Sequence, residues 1–378
     1  MSGLHIAVVA GALTLLLSLA LPVAVRPLLV RLGIMDVPNE RSSHTRPVLR
    51  GLGLAVLLAM VAGGGAAVWL LSTGPGFQRW DLLLVVLIGS VLAGLLGLGE
   101  DLRGLSVKMR SACLLLLGLL VPVALVLLFS FPPVGGDFAF VAGFQWQGWD
   151  PAAAEASAPL SEAVGATPLP LWLGIVLVPY ALLFVSSYIN VANFMDGLNG
   201  ISGFHGVIAG LAFAVAGGLT GLPWLTIAGI VIAAAFAGFL PWNLTKPGAF
   251  LGDVGSYLLG GAIAITSFAA LLAGVPILAT IGPMIIYFGD VGVTLVKRVR
   301  SGHKWDEPHK EHVYQRIQQL GYSHVQASGM TAGASLLASA LGLVSCVVAP
   351  VWWLLLLVLG LAVLVLYLAL PRLLPASA

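Results

Sequence analysis

Asn190, Asn193, Asp196 and Asn199 recur at every third position in N-V-A-N-F-M-D-G-L-N-G-I-S-G, residues 190–203. On a helix that spacing draws one slowly drifting polar stripe. An aspartate in so apolar a chain must be paired, hold an ion or face water. Taken alone, the stretch reads almost as well as an interhelical turn in which Gly197, Gly200 and Gly203 allow close packing.

Four other stretches make chemistry the better reading. F-L-G-D-V-G-S, Phe250 to Ser256, sets Asp253 between Gly252 and Gly255, which leave room for a bulky ligand or for backbone to approach a phosphate. A helix cap would explain the aspartate but not the aromatic and both glycines. G-L-G-E-D-L-R-G-L-S-V-K-M-R carries Glu100 and Asp101. Adjacent helical residues diverge by about 100°, so one carboxylate faces the site while the other is solvated or paired with Lys108 or Arg110.

D-V-P-N-E-R-S-S-H-T-R-P-V-L-R gathers Asp36, Arg41, Ser42, Ser43, His44, Arg46 and Arg50. Anionic lipid explains the arginines; a pocket for a phosphorylated ligand also explains Ser-Ser-His. The last polar loop follows Asp290 and places His309, His312 and Arg316 at i, i+3 and i+7, one face if the segment is helical. It contains no H-E-x-x-H and no nearby cysteine, so cations that hold phosphates fit it better than a zinc site. Both histidines are expected in a solvated loop. Carboxylates and cations at one membrane surface suit a divalent metal with a diphosphate.

The elements that must position these residues are membrane spans. The 378-residue chain is 59% hydrophobic and 8% charged, with mean hydropathy +1.05, which excludes a soluble domain. At about 20 apolar residues per crossing, spans fall near 4–25, 51–72, 82–98, 112–131, 171–189, 203–219, 224–241, 254–271, 276–296, 327–349 and 351–371. The expected fold is therefore all-α: a single polytopic membrane domain, 1–378, of about eleven helices. Around Pro350 the last two spans could be a re-entrant hairpin or two crossings.

Every Lys and Arg except Arg79 falls in the connections at about 26–50, 99–111, 190–202, 242–253 and 297–326 or at the C-terminus. That asymmetry predicts an outside N-terminus, a cytoplasmic C-terminus and a cytoplasmic active face. The connection at 132–170 has four acids and no Lys or Arg, and reads as an external loop without chemistry. Cys113 and Cys346 both lie in apolar runs, so neither a disulfide framework nor a cysteine metal site is expected. The net charge of +2 gives no reason to expect nucleic acid as a partner.

N-x-x-N-F-x-D-G-x-x-G followed by F-L-G-D-x-G-S resembles the polyprenyl-phosphate N-acetylhexosamine-1-phosphate transferase family. R-S-S-H, S-V-K and H-x-x-H-x-Y-Q-R are most similar to the branch that initiates lipopolysaccharide O-antigen on undecaprenyl phosphate in the bacterial inner membrane. The resemblance covers five stretches, from about Asp36 to Arg316. It implies transfer of a sugar 1-phosphate from a UDP-linked N-acetylated amino sugar to undecaprenyl phosphate, releasing UMP, with Mg²⁺ or Mn²⁺ as cofactor. A homodimer is compatible with it.

The resemblance also implies roles. Asp253 matches the metal-binding aspartate, Asp196 the first aspartate of the central motif near metal and nucleotide, and Asp101 an acid that deprotonates or orients the lipid phosphate. Phe250 falls where the uracil stacks, and His309 and His312 fall in the cytoplasmic histidine motif. Arg41, Ser43, His44, Lys108, Asn190, Asn193, Asn199 and Arg316 complete the substrate-binding set. Three positions depart from the pattern: Glu100 and Asn199 replace aspartates, and Lys310 stands where arginine is common. Asn199 can still accept the uracil N–H through its amide oxygen. The rival readings are a transporter for an anionic solute, whose ionisable groups should lie at mid-membrane, and an inactive homologue.

Overall fold

The computed structural model describes residues 2–36, 48–74, 79–130, 133–134, 139–140, 171–245, 248–303 and 309–376. Arg41, Ser43 and His44, and most of the 132–170 connection, lie outside the described residues. The helices are α1 (Gly3–Arg31), α2 (Gly53–Ser72), α3 (Trp80–Arg103), α4 (Val107–Ser130), α5 (Leu171–Met195), α6 (Ile201–Leu219), α7 (Pro223–Leu244), α8 (Gly252–Leu272), α9 (Ile277–Ile281), α10 (Ile285–Arg300), α11 (Val313–Gln319), α12 (His324–Val344) and α13 (Trp353–Leu373). Two minimal antiparallel ladders accompany them: β1 (Met35–Asp36) with β2 (Val48–Leu49), and β3 (Pro133–Val134) with β4 (Ala139–Phe140).

Eleven segments among the described residues are long and apolar enough to cross a membrane, one for each expected span. The ninth combines α9 and α10 through a 3-10 turn at Gly282–Met284, where Pro283 lacks the N–H that a continuous helix needs. The last two spans are separate helices, α12 and α13, each long enough to cross. The main difference from the sequence reading is length. α1, α3 and α5 run on to Arg31, Arg103 and Met195, because a helix keeps its backbone bonds beyond the point where side chains turn polar.

α8 lies at the centre, nearly all of it buried, whereas in α13 only Leu356 and Tyr367 are buried. Lipid tails are as apolar as leucine, so association depends on close packing and interhelical hydrogen bonds. Ser18 donates to the Ala235 carbonyl at 2.6 Å and Trp242 to the Leu19 carbonyl at 3.0 Å, tying α1 to α7; Ser186 donates to the Leu114 carbonyl at 3.0 Å, tying α5 to α4. The closest backbone approach is α3 against α8, where a Cβ at Gly97 would lie 2.0 Å from the Asp253 carbonyl oxygen. Because successive long helices alternate in direction, the C-termini of α3, α5, α7 and α10 meet the N-termini of α2, α6, α8 and α12 at one end of the bundle.

Candidate active site

Three chain segments build the centre of that end. The strand-like pairing of 48–52 with 249–251 comes first: Phe250 N–H donates to Leu49 O at 2.8 Å, Leu52 N–H to Phe250 O at 3.1 Å and Gly53 N–H to Leu251 O at 2.8 Å. This lays Arg50 across the start of α8. Its guanidinium bridges two acids, with Nε 3.0 Å from Asp101 Oδ1 and Nη2 2.6 Å from Asp253 Oδ2.

The Asp101 side chain, at the end of α3, is wholly buried and caps α8, accepting from Asp253 N–H at 3.1 Å on Oδ1 and Val254 N–H at 2.8 Å on Oδ2. The helix N-terminus thus receives the negative charge it favours from another helix. Gly252 makes this possible. Its φ is +76°, and a Cβ there would sit 2.7 Å from Gly51 Cα and 2.8 Å from Asp101 Oδ2. The glycines around Asp253 therefore serve backbone packing and not ligand space, since a Cβ at Gly255 would meet Leu251 Cγ at 2.2 Å and Gly53 Cα at 2.9 Å. Nor is Asp253 the cap; Asp101 is.

Asp253 keeps some exposure, 16% of its side chain. Its Oδ1 accepts from Asn193 Nδ2 at 2.7 Å, and the same amide reaches Ser256 Oγ at 3.0 Å, so α5 steadies the carboxylate. Asn190, one turn earlier, donates to its own helix at Ser186 O, 3.0 Å. The expected stripe breaks after Met195, where α5 ends, and Asp196 and Asn199 occupy the turn into α6. Asp196 accepts from Ser202 Oγ at 2.6 Å. Burial pushes its carboxyl up to about 7; Ser202 opposes the rise, and Asp253 and Asp101 add to it.

Asn199 is committed to protein partners. Its Oδ1 is 2.8 Å from His324 Nδ1, its Nδ2 donates to Asn243 O at 2.5 Å, and its carbonyl accepts from Ser328 Oγ at 2.9 Å. It fastens α12 and α7 to the turn. Phe250 is half-buried at the rim, Lys108 is exposed on the first turn of α4, and Glu100 turns aside as expected, 3.7 Å from Arg110 and accepting from Leu105 N–H at 3.0 Å.

The histidine segment differs most from its sequence reading. α11 begins only at Val313, so His309 and His312 precede it and Arg316 alone of the three lies within the helix, half-buried. Loop geometry, not helical periodicity, brings the two imidazoles to a centroid distance of 4.9 Å. His312 is 3% exposed, not solvated, because its Nδ1 lies 3.1 Å from Asp290 and its ring stacks on Tyr314 at 5.8 Å. Tyr314 donates to Phe194 O at 3.0 Å, which seats this segment beside the Asp196 turn. Burial, then His312 and Arg298, hold His309 down at about 4, so at neutral pH it is a neutral imidazole and not the cation expected. Arg298 pairs with Glu311.

Ser202, Ser256, Tyr314 and His324 were not singled out by residue type, and Arg50 was named only as one of the residues of the first polar loop. Only Arg50 carried a signal, as the arginine nearest the second span.

The donors at the centre fit a hard divalent cation. Asp253 and Asp196 offer carboxylate oxygens from two elements, and no group of three or more His, Cys, Asp or Glu able to hold a metal ion forms among the described residues. Such a set suits an ion that takes its remaining ligands from phosphate and water.

Fold and site together define a multi-pass membrane protein whose acids, amides and basic groups converge at one end of a helical bundle, a place to handle a charged ligand at the lipid boundary. Residues 83–271, half of the chain, match the family described as glycosyl transferase family 4, and the chain belongs to that family. It is similar to the decaprenyl-phosphate N-acetylglucosaminephosphotransferase of Mycobacterium tuberculosis (strain ATCC 25618 / H37Rv), 29% identical over 331 residues, 79% of this chain and 72% of the relative. It is also similar to a probable undecaprenyl-phosphate N-acetylglucosaminyl 1-phosphate transferase of Bacillus subtilis (strain 168), 24% identical over 320 residues, 84% of this chain and 78% of the relative. A phospho-N-acetylmuramoyl-pentapeptide-transferase of Clostridium botulinum (strain Eklund 17B / Type B) is 29% identical over 144 residues, 36% of this chain and 44% of the relative.

Proposed function

We propose that this membrane transferase moves an N-acetylated amino-sugar 1-phosphate from a UDP-linked donor to undecaprenyl phosphate, giving a lipid-linked diphosphosugar and UMP. We read this as the step that initiates O-antigen or a related surface glycan. The carrying observation is the convergence of Asp101, Asp196 and Asp253 with Arg50 at one end of the bundle. The names of the relatives, all transferases of phosphosugars, supply the reaction class. A transporter's ionisable groups belong at mid-membrane; here Asp101, Asp196 and Asp253 stand at helix ends.

Asp253 and Asp196 would hold Mg²⁺, which supplies neutralisation of the diphosphate charge when bound. An oxygen of the polyprenyl phosphate, already ionised at neutral pH, attacks the sugar-bearing phosphorus in line; the new P–O bond forms as the bond to UMP breaks. No strong general base is needed. Asp101 acts by holding Arg50 and the start of α8 in place, since both of its oxygens are engaged. Arg50 and Arg316 bring positive charge to the phosphates, Asn193 aligns Asp253, and His309 acts as a neutral hydrogen-bonding group. Phe250 offers a face for the uracil. Lys108, Asn190 and the Arg41, Ser43 and His44 segment extend the binding surface.

Asn199 is better suited to shaping the turn that carries Asp196 than to binding uracil, because its amide is occupied. The asymmetric placement of Lys and Arg supports an N-terminus outside and this end facing the cytoplasm of an inner membrane. The decisive experiment incubates purified protein with undecaprenyl phosphate, Mg²⁺ and a panel of UDP-linked N-acetylated amino sugars and follows UMP. Release that depends on both lipid and metal is expected; none with any donor would sink the reading. A cysteine placed at Ser301 should resist labelling from outside intact cells.

A further inference from the structure

Asp290 lies on α10, ten residues before its end, and is fully buried without a Lys or Arg partner among its described contacts. A carboxylate in that position is costly unless hydrogen bonds satisfy it. Here they do. Val313 N–H donates to both oxygens at 3.1 Å, Tyr367 O–H to Oδ2 at 2.8 Å and Thr294 Oγ1 to Oδ1 at 3.3 Å, while His312 Nδ1 stands 3.1 Å from Oδ1.

The chemistry of these contacts fixes a proton. The backbone amide can only donate, and it touches both oxygens, so the carboxylate accepts throughout. An ionised Asp290 then pairs with a proton on His312 Nδ1, while the capping box of α11 sets the same side chain against the Gln315 N–H. The other ring nitrogen of His312, Nε2, has no hydrogen bond among the described residues. A ring held in this way presents Nε2 as its basic atom, and on taking up a proton it donates to an anionic oxygen while Asp290 balances the charge. Tyr367 extends the arrangement to α13, the helix with the least buried surface, as one of its two buried residues.

We propose that Asp290 and Tyr367 are positioning residues of the transfer reaction: together they fix the tautomer and direction of His312 so that Nε2 meets a phosphate oxygen of the ligand. This rests on the transferase reading for its ligand, but not for its geometry. A purely structural role for Asp290, pinning α11 to the bundle, predicts a loss of stability that is indifferent to His312.

The test uses the full-length protein in lipid-containing detergent, with two readouts. The first is the ¹⁵N spectrum of histidine-labelled protein, with His312 assigned by loss of its signals in His312→Gln. A protonated Nδ1 in the wild type, lost in Asp290→Asn, is expected; a proton on Nε2 alone in the wild type overturns the proposal. The second is UMP release. Asp290→Asn should lower kcat about 100-fold with donor KM within about threefold of wild type. The double variant Asp290→Asn/His312→Ala should be no slower than His312→Ala alone.

Wild-type kcat in Asp290→Asn, or multiplying losses in the double variant, overturns it. Should Asp290→Asn fail to fold, Tyr367→Phe removes one hydroxyl and should cost about 3- to 10-fold in kcat, and nothing when His312 is already alanine. Equal losses in both backgrounds overturn the proposal. If the wild type releases no UMP with any donor, the transferase reading fails, while the tautomer measurement still decides this one.

Discussion

Asp253 and Asp290 are both aspartates of membrane helices, one in the first turn of α8 and the other ten residues before the end of α10, and their surroundings are opposite. Asp253 keeps 16% of its side chain exposed and leans on Arg50, itself 35% exposed. Asp290 is fully buried, has no described Lys or Arg partner and is surrounded by donors from its own helix, the 312–313 segment and α13. A partly exposed ion pair of this kind can exchange its partner for a ligand. A saturated buried carboxylate cannot exchange without leaving donors unpaired. One acid is arranged to change partners and the other to keep them, which is how a site holds its frame while its contents turn over.

The sharpest way to break the comparison is Asp253→Asn. The charge for the cation goes while the size stays, so single-turnover UMP release should fall by about 100-fold or more with the fold intact. Partial recovery at high Mg²⁺ would strengthen the assignment; rates near wild type across a Mg²⁺ titration would end it.

Gly97→Ala comes next and acts on the frame beneath Asp253. Its methyl would meet the Asp253 carbonyl at 2.0 Å, forcing α3 from α8 and Asp101 from the amides it caps. Overpacking of this kind costs about 1–3 kcal/mol. Thermal unfolding in detergent should show it together with reduced turnover; an unchanged midpoint would mean that the contact between α3 and α8 is looser than described.

Asn199→Asp is smaller in effect. Aspartate keeps the acceptor for His324 but loses the donor to Asn243 O, so stability should drop by about 1–3 kcal/mol. KM for the UDP-sugar should stay within about threefold of wild type. A large KM change without a stability change would return Asn199 to the nucleotide.

The smallest effect is a pH slope. Because His309 is held down at about 4 from a usual value near 6.5, the unfolded chain binds more protons between those values. Its contribution to stability is complete above about pH 6.5 and is lost as pH falls toward about 4. His309→Gln should flatten that part of the curve of unfolding temperature against pH. An identical slope in both proteins would place His309 in water.

The helices were legible because about 20 apolar residues in a row permit little else, and Asp101, Asp196 and Asp253 stood out because glycines and amides flanked them. The partners were less visible. Arg50 reaches Asp253 through a pairing of 48–52 with 249–251, too short to leave a periodic trace. The burial of His312 depends on Asp290, 22 residues earlier on another helix, and on Tyr367 in a span that reads as plain lipid-facing apolar sequence. Asn199 matched a motif position, yet its occupation by His324 and Asn243 comes from where α12 begins and α7 ends.

The capping of α8 by Asp101 also sets a clock on assembly. The carboxylate leaves the ribosome 152 residues before the amide of Asp253 that it will hold. At about 5–20 residues per second, roughly 8–30 s pass before that amide exists. During that interval Asp101 ends a newly inserted span with no helix N-terminus to receive it, and water at the membrane surface must serve in its place. The capped start of α8 is therefore a late product of synthesis, formed only when the eighth span enters and Asp101 finds its partner.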